Sequence, residues 1–403
     1  MISQFSITSV TLYSVNSLEE HMNSRERIQL ALNHKEPDRI PFDLGGTPMS
    51  GMHHIAYKNL RAYLGLPEVD IRIVDSIQQL AAIDQDLADR LKIDIHNIAP
   101  RSSAKYNLVY REEGEYSAYT DEWGIGWRSP KKDGLYYDMY SWPLEKFDTI
   151  EAIKEHYQWP DAGDPSRFAG LRERALATIE EGKAVVVGSL SAGVSEMHAW
   201  TRGFQAYFTD FYLYPELAEY IMDTVVELKM RYWENVLEQV GDLADVVIEA
   251  DDLAGQRNLF FRPEQYRQYI KPRHTKLFSF IKARTNAKLF YHCDGALVPI
   301  LWDLIESGID ILNPLQKSAA GIDFSAIKKE YGQDISFWGA GVDTQRVFDQ
   351  GTPEEVRDDV KRNIEIMAPG GGFVFTTIHK TQASVPPENY MAMWETWQEC
   401  GTY

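Results

Sequence analysis

The chain has 403 residues, 44% hydrophobic and 25% charged, with 41 Lys and Arg against 60 Asp and Glu for a net charge of −19. This is the composition of a soluble globular protein with room for one barrel-sized domain or two smaller ones. Its acidity excludes a nucleic-acid binder, which needs clustered cations to displace counterions from phosphates. No apolar run approaches the roughly 18 residues of a membrane span, and Cys293 and Cys400 are too few for a disulfide framework.

Residues 1–21 have no basic n-region and no continuous apolar core, so they make a poor signal peptide. They read as an extension ahead of Met22, and a cytoplasmic location is the expectation. MNSRERIQLALNHKEPDRIP predicts the first helix, with Asn23 and Glu26 as reciprocal cap partners and Pro37 and Pro41 as stops. RIPFDLGGT (39–47) reads as the first strand, and SGMHHIAY as a helix opening on which His53 and His54 form a surface pair rather than substrate contacts. KIDIHNIAP (92–100) reads as the second strand. Residues 105–142 then alternate aromatic and polar side chains around EGE and KDG turns, which predicts antiparallel hairpins inserted after that strand. The aromatic residues there, Trp123 among them, either line a pocket or pack on the barrel rim.

Six further apolar runs each end in polar residues or Gly: AVVVGSLSAGVSE (184–196), ADVVIEADDLAG (244–255), KLFYHCDG (288–295), IDILNPLQ (309–316), DISFWGAGVDTQ (334–345) and GGFVFTTIHKTQ (371–382). WTRGFQAYFTDFYLYP (200–215) reads as one core helix with Trp200 and Phe204 on a shared face, and PEEVRDDVKRNIEIMAPGG as a helix opened by Pro353 and closed by Gly370. Eight strands alternating with helices predict a (β/α)8 TIM barrel over residues 22–403, an α/β fold with residues 105–142 as the inserted hairpin segment. A doubly wound open sheet is the alternative, but no Gly-x-Gly-x-x-Gly follows the first strand.

Active sites of such barrels sit at the carboxyl ends of the strands. The residues there are Asp43, Ser189, Glu249, Asp251, Asp252, His292, Asp294, Asn313, Gln316, Asp343, Gln345, His379 and Gln382. A mouth rich in carboxylates, imidazoles and amides, and poor in Lys and Arg, suits a neutral or cationic small molecule or a divalent metal. Strand alternation puts His292 and Asp294 on one face and Cys293 on the other. Glu249, His292 and Asp294 are the candidate metal ligands; the alternative is a polar layer in which carboxylates orient a neutral His292. His379 reads as a substrate contact or proton donor.

RERIQLALNHKEPDRIPFDLGG, EADDLAGQ, FYHCDG, GIDILNPLQ, FWGAGVDTQ and HKTQASVPPENY, in that order from Met22 to the end, together resemble the uroporphyrinogen decarboxylase superfamily. The similarity is closest to its cobamide-dependent methyltransferase branch. It implies a barrel acting on a methyl group held by a small molecule or a corrinoid protein. Zinc-dependent members carry His-x-Cys-Gly at the fifth strand and another Cys near the eighth. Here Asp294 stands in the Cys position and His379, with no Cys, lies near the eighth strand, which removes the thiolate site but not a carboxylate–imidazole one. The decarboxylases grip a multi-carboxylate tetrapyrrole with arginines near the first strand, and no Arg lies between Arg39 and Arg61. Asp43 resembles their pyrrole-facing carboxylate.

The resemblance therefore implies transfer of a methyl group from a small O-methyl substrate, a methoxylated aromatic in preference, to Co(I) of a separate corrinoid protein. Methylamine or betaine donors, the methyl-corrinoid:acceptor reaction and a metal-independent decarboxylase are the alternatives, with a non-catalytic binding protein last. In this reading His292, His379 or a bound Zn2+ assists the leaving group, and Asp251 and Asp252 orient the imidazole or complete the ligand set. Asp43, Asn313, Gln316, Asp343, Gln345, Gln382 and Trp123 contact substrate. The partner is the corrinoid protein, with no nucleic acid or membrane, and a homodimer is allowed for.

Overall fold

Seven parallel strands follow one another round a curled sheet in the order the chain makes them: Ile95–Asn97, Ala184–Val187, Val246–Ala250, Lys288–His292, Ile311–Asn313, Ser336–Ala340 and Phe373–Thr376. Residues 41–43 close the circle. On one side Phe375 N donates to Pro41 O and Asp43 N to Phe375 O; on the other Asp94 N donates to Phe42 O. All eight runs read from the sequence are thus staves of an α/β TIM barrel. The computed structural model describes residues 22–403, so the extension read at 1–21 lies outside the described residues.

Most staves are apolar on both faces because they are buried on both; in Ile95–Asn97 only Ile95 is buried, and His96 is exposed. Ile95, Val186, Ile248, Phe290, Ile311, Trp338 and Val374 fill the barrel, while the alternating Val187, Val247, Leu289, Leu312 and Phe337 pack outward. The helix Ser24–Leu32 adds Ile28 and Leu32 to the interior set. It begins with the expected capping box, Asn23 accepting from Glu26 N and Glu26 from Asn23 N at 2.9 Å. The helix Pro353–Met367 likewise starts where Pro353 predicts, capped by Thr352 and Glu355.

The insertion is a four-stranded antiparallel sheet, Arg111–Glu113, Tyr116–Thr120, Gly126–Pro130 and Asp138–Ser141. Its core of Tyr119, Trp123, Ile125 and Trp127 packs against Met197 and Val225 of the helices Val194–Arg202 and Pro215–Val240. Trp123 is 5% exposed, its indole spent on this rim packing, which corrects its assignment as a substrate contact. A hairpin of Ile73–Asp75 with Leu80–Ala81 is too short for alternation to reveal.

Two other expectations change. Gly203, at φ 87°, divides residues 200–215 between the helices Val194–Arg202 and Phe204–Leu213. Trp200 consequently meets Trp127 while Phe204 is exposed, so they share no face. His53 is buried rather than on the surface. Its Nδ1 caps the helix His54–Tyr63 by accepting from Ile55 N, and its Nε2 donates to Leu135 O of the insertion at 3.0 Å. Among the described residues no helix is long and apolar enough to cross a membrane.

Candidate active site

The register of Lys288–His292 places His292 beside Ala250 on one neighbour and Asn313 on the other. Phe290 points into the barrel, so His292, two residues on, points into the mouth. His292 Nδ1 lies 2.7 Å from Asn313 Oδ1, and Asn313 Nδ2 donates to Trp338 O at 2.6 Å. The second bond fixes the amide, so its oxygen must accept from His292 Nδ1–H. That leaves Nε2 as the lone-pair nitrogen of the neutral ring.

The chain then reverses at Gly295, where φ is 91° and a Cβ would come 2.6 Å from Gly255 O. Gly295 N donates to Gln316 Oε1 at 2.7 Å, and Asp294 N to Asp252 Oδ1 at 3.0 Å. This turn carries Asp294 back towards His292. From beyond Phe373–Thr376, His379 Nε2 comes within 3.5 Å of Asp294 Oδ2, its ring centroid 5.7 Å from that of His292. One ligand atom from each of His292, Asp294 and His379 lies within 4.8 Å of the others. Asp252 Oδ1 is 4.0 Å from His292 Nε2. Asp294 Oδ1 is shut from solvent with no hydrogen-bond partner.

The groups hold their protons unusually. Burial, with Lys380 and His292 adding, pushes His379 well below the usual imidazole range. Burial raises the Asp294 carboxyl, opposed by His292 and reinforced by Asp252. Glu196 is pushed up to about 8, first by burial and then by Asp252 and Asp251. Glu196 opens the helix Val194–Arg202, accepting from Gly193 N at 3.2 Å. Sequence reading missed it because it lies nine residues past the end of Ala184–Val187; its one signal is the capping spacing from Gly193.

The remaining candidates divide between the mouth and its supports. Glu249 is opposite Tyr291 and so faces outward, where it takes Lys229 Nζ at 2.8 Å, Trp233 Nε1 at 2.6 Å and Ser189 Oγ at 3.2 Å. That corrects its assignment as a metal ligand and moves Ser189 out of the mouth with it. Asp251, fully buried, accepts from Ser195 N, Glu196 N and His274 Nε2. It positions Glu196 rather than touching a substrate, so its catalytic assignment is corrected too. Gly193 permits this seat, since a Cβ there would come 2.3 Å from Asp251.

Asp43 lies deeper in the barrel, accepting from Trp338 Nε1 and Gly46 N at 2.8 Å, and burial raises it to about 6. Gln382 joins Tyr136 of the insertion to Lys380 O. Asp343 accepts from Gln345 N and Arg346 N within its own loop, and the Gln345 side chain is exposed; neither hydrogen-bonds to the histidine cluster. Cys293 faces away from His292 as alternation requires, and burial pushes its thiol up.

A family model described as uroporphyrinogen decarboxylase (URO-D) matches residues 154–400. No curated protein matches the chain by sequence. Among solved structures, a methyltransferase from Methanosarcina mazei aligns with a TM-score of 0.59 and 16% identity over 94% of this chain and 99% of that one. Xylanase 10B from Thermotoga maritima aligns with a TM-score of 0.35 and 11% identity over 64% of this chain and 84% of that one, a likeness too low to carry weight.

Proposed function

The chain belongs to the uroporphyrinogen decarboxylase family, and from that premise we propose that it is a methyltransferase moving the methyl group of a small O-methyl compound, a methoxylated aromatic in preference, to Co(I) of a separate corrinoid protein docked over the barrel mouth. The observation that carries the reading is the convergence of His292, Asp294 and His379 within 4.8 Å at the carboxyl ends of the staves. The fold shared with a protein named as a methyltransferase supports it. Decarboxylation of a polyanionic tetrapyrrole is disfavoured because the arginines flanking the first stave are occupied, Arg39 by Asp94 and Arg61 by Asp86.

Two imidazoles and a carboxylate are a fitting donor set for Zn2+, and the orphaned Asp294 Oδ1 is a lone pair in want of a cation. His292 Nε2, His379 and Asp294 would hold the ion, which supplies a Lewis acid for the departing oxygen. The corrinoid supplies the nucleophile. The chain's own residues align the methyl carbon and manage the proton. Asn313 locks the His292 ring, and Asp252 holds the Asp294 turn through its backbone N–H. Glu196, protonated at neutral pH, is the group able to give a proton to a phenolate oxygen.

A second reading, a quaternary amine as methyl donor, is favoured by the acidic side chains Asp252 and Asp294 about the mouth. Incubation with a reduced corrinoid carrier and a panel of methoxyarenes, methylamines, betaine and methanol tests both. Methyl transfer from a methoxyarene, abolished by His292→Ala, is the expected result. Release of CO2 from an acid without any cobalt partner overturns the proposal.

A further inference from the structure

A second concavity, of about 660 Å3, lies beside the stave Ile95–Asn97 and shares no residue with the histidine cluster. Arg72, Arg101, Arg174 and Lys183 line it. The chain has a net charge of −19, and its buried arginines are closely paired: Arg27 with Asp94, Arg61 with Asp86, Arg202 with Asp210 and Arg273 with Asp223. The four cleft cations differ, since none has a carboxylate oxygen within 4.0 Å among the described residues. Two acids, Asp75 and Glu181, share the cleft, the second beside His96 of the same wall. Asp75 accepts from Ile77 N and Gln78 N, and Glu181 faces His96 at 3.7 Å.

Arg174 is held as a ligand-binding guanidinium would be. Its Nε donates to Gly170 O and its Nη1 to Ala99 O at 3.0 Å, which fixes the plane. Its Nη2 is shut from solvent and has no acceptor. An unsatisfied buried donor is costly, the more so when charged, so an acceptor brought to Nη2 recovers that loss. Burial and then the neighbouring Arg101 charge push the Arg174 guanidinium below its ordinary value, with no carboxylate intervening. The cleft also has an accessible apolar wall in Val74 and Ile83.

We propose that this cleft binds an organic anion, a phosphate or carboxylate head on an apolar body, with Arg174 and Arg101 gripping the head and Val74 and Ile83 receiving the body. Planar guanidinium forks match both oxyanions in bidentate fashion. The overall negative field repels anions, so recognition rests on these local contacts. The site is independent of the methyl-transfer reading.

Calorimetric titration of the full chain with phenyl phosphate, benzoate and benzyl alcohol tests it. Saturable binding of phenyl phosphate or benzoate is expected, with none of the neutral alcohol, and whichever anion binds more tightly identifies the head. R101Q/R174Q should weaken binding at least about tenfold, and the exposed-site variant R101Q alone by less, while His292→Ala leaves it unchanged. No saturable anion binding up to about 10 mM overturns the proposal. So does equal affinity in R101Q and the double variant to wild type, or loss of binding in His292→Ala alone, which places the anion in the mouth.

Discussion

Asn313 accepts the Nδ1 proton of His292 across 2.7 Å while donating its own amide proton to Trp338 O at 2.6 Å. Because the amide cannot flip without facing two acceptors or two donors together, one imidazole tautomer is enforced and Nε2 is left bare towards Asp294 and His379. Asn313→Ala should therefore lower zinc affinity about 10–100-fold, with folding preserved. Titration with zinc, alongside nitrogen chemical shifts of the His292 ring, measures both effects. Unchanged affinity with a scrambled tautomer sinks the orienting role.

Four single variants separate ligand from scaffold. His292→Ala, His379→Ala and Asp294→Ala should each reduce bound zinc. Glu249→Ala should leave zinc binding intact yet cost about 3–5 kcal/mol of stability, because Lys229 is left charged and unpaired in the core. Metal content after dialysis and urea unfolding distinguish them. Loss of zinc in folded Glu249→Ala would restore that residue to the ligand set.

Glu196 predicts an alkaline limb. A carboxyl raised to about 8 is protonated, and so able to donate, below that pH and loses the ability above it. Methyl transfer should fall as pH rises through about 8. Glu196→Gln, which cannot donate an acidic proton, should lower the rate about 10²–10⁴-fold and flatten the limb. An unaltered pH profile in the variant means that the proton comes from elsewhere.

The staves were legible because strands buried on both faces read as short apolar runs, and the first and Pro353 helices because their caps are local in sequence. The parity of His292 and Cys293 was legible for the same local reason. The phase of VVIEADD was not. Three acids in four positions fit either face, and only the register that sets Ala250 and not Glu249 beside His292 decides it. Glu196 and His53 escaped because long-range packing gives them their roles: one is seated by Asp251, the other covered by Leu135. Trp123 looked like a pocket residue because an aromatic in an alternating strand does not reveal what it packs against.

Asp43 predicts how stability depends on pH. Its carboxyl is buried inside the barrel beneath Trp338, and burial raises it to about 6, against about 3.9 in an unfolded chain. A group raised on folding contributes stability that is fully present below the unfolded value and is lost as pH rises through the folded one. About two units correspond to roughly 3 kcal/mol in all, of which roughly 2 kcal/mol is lost between pH 4 and pH 7. Asp43→Asn removes this titration. It also offers one oxygen to two donors, Trp338 Nε1 and Gly46 N, so the variant is less stable than wild type at low pH. The gap between the two proteins should narrow by roughly 2 kcal/mol from pH 4 to pH 7, which urea unfolding at the two pH values reads directly. A gap constant with pH means that Asp43 stays ionised in the folded barrel, with Trp338 and Gly46 together offsetting its burial.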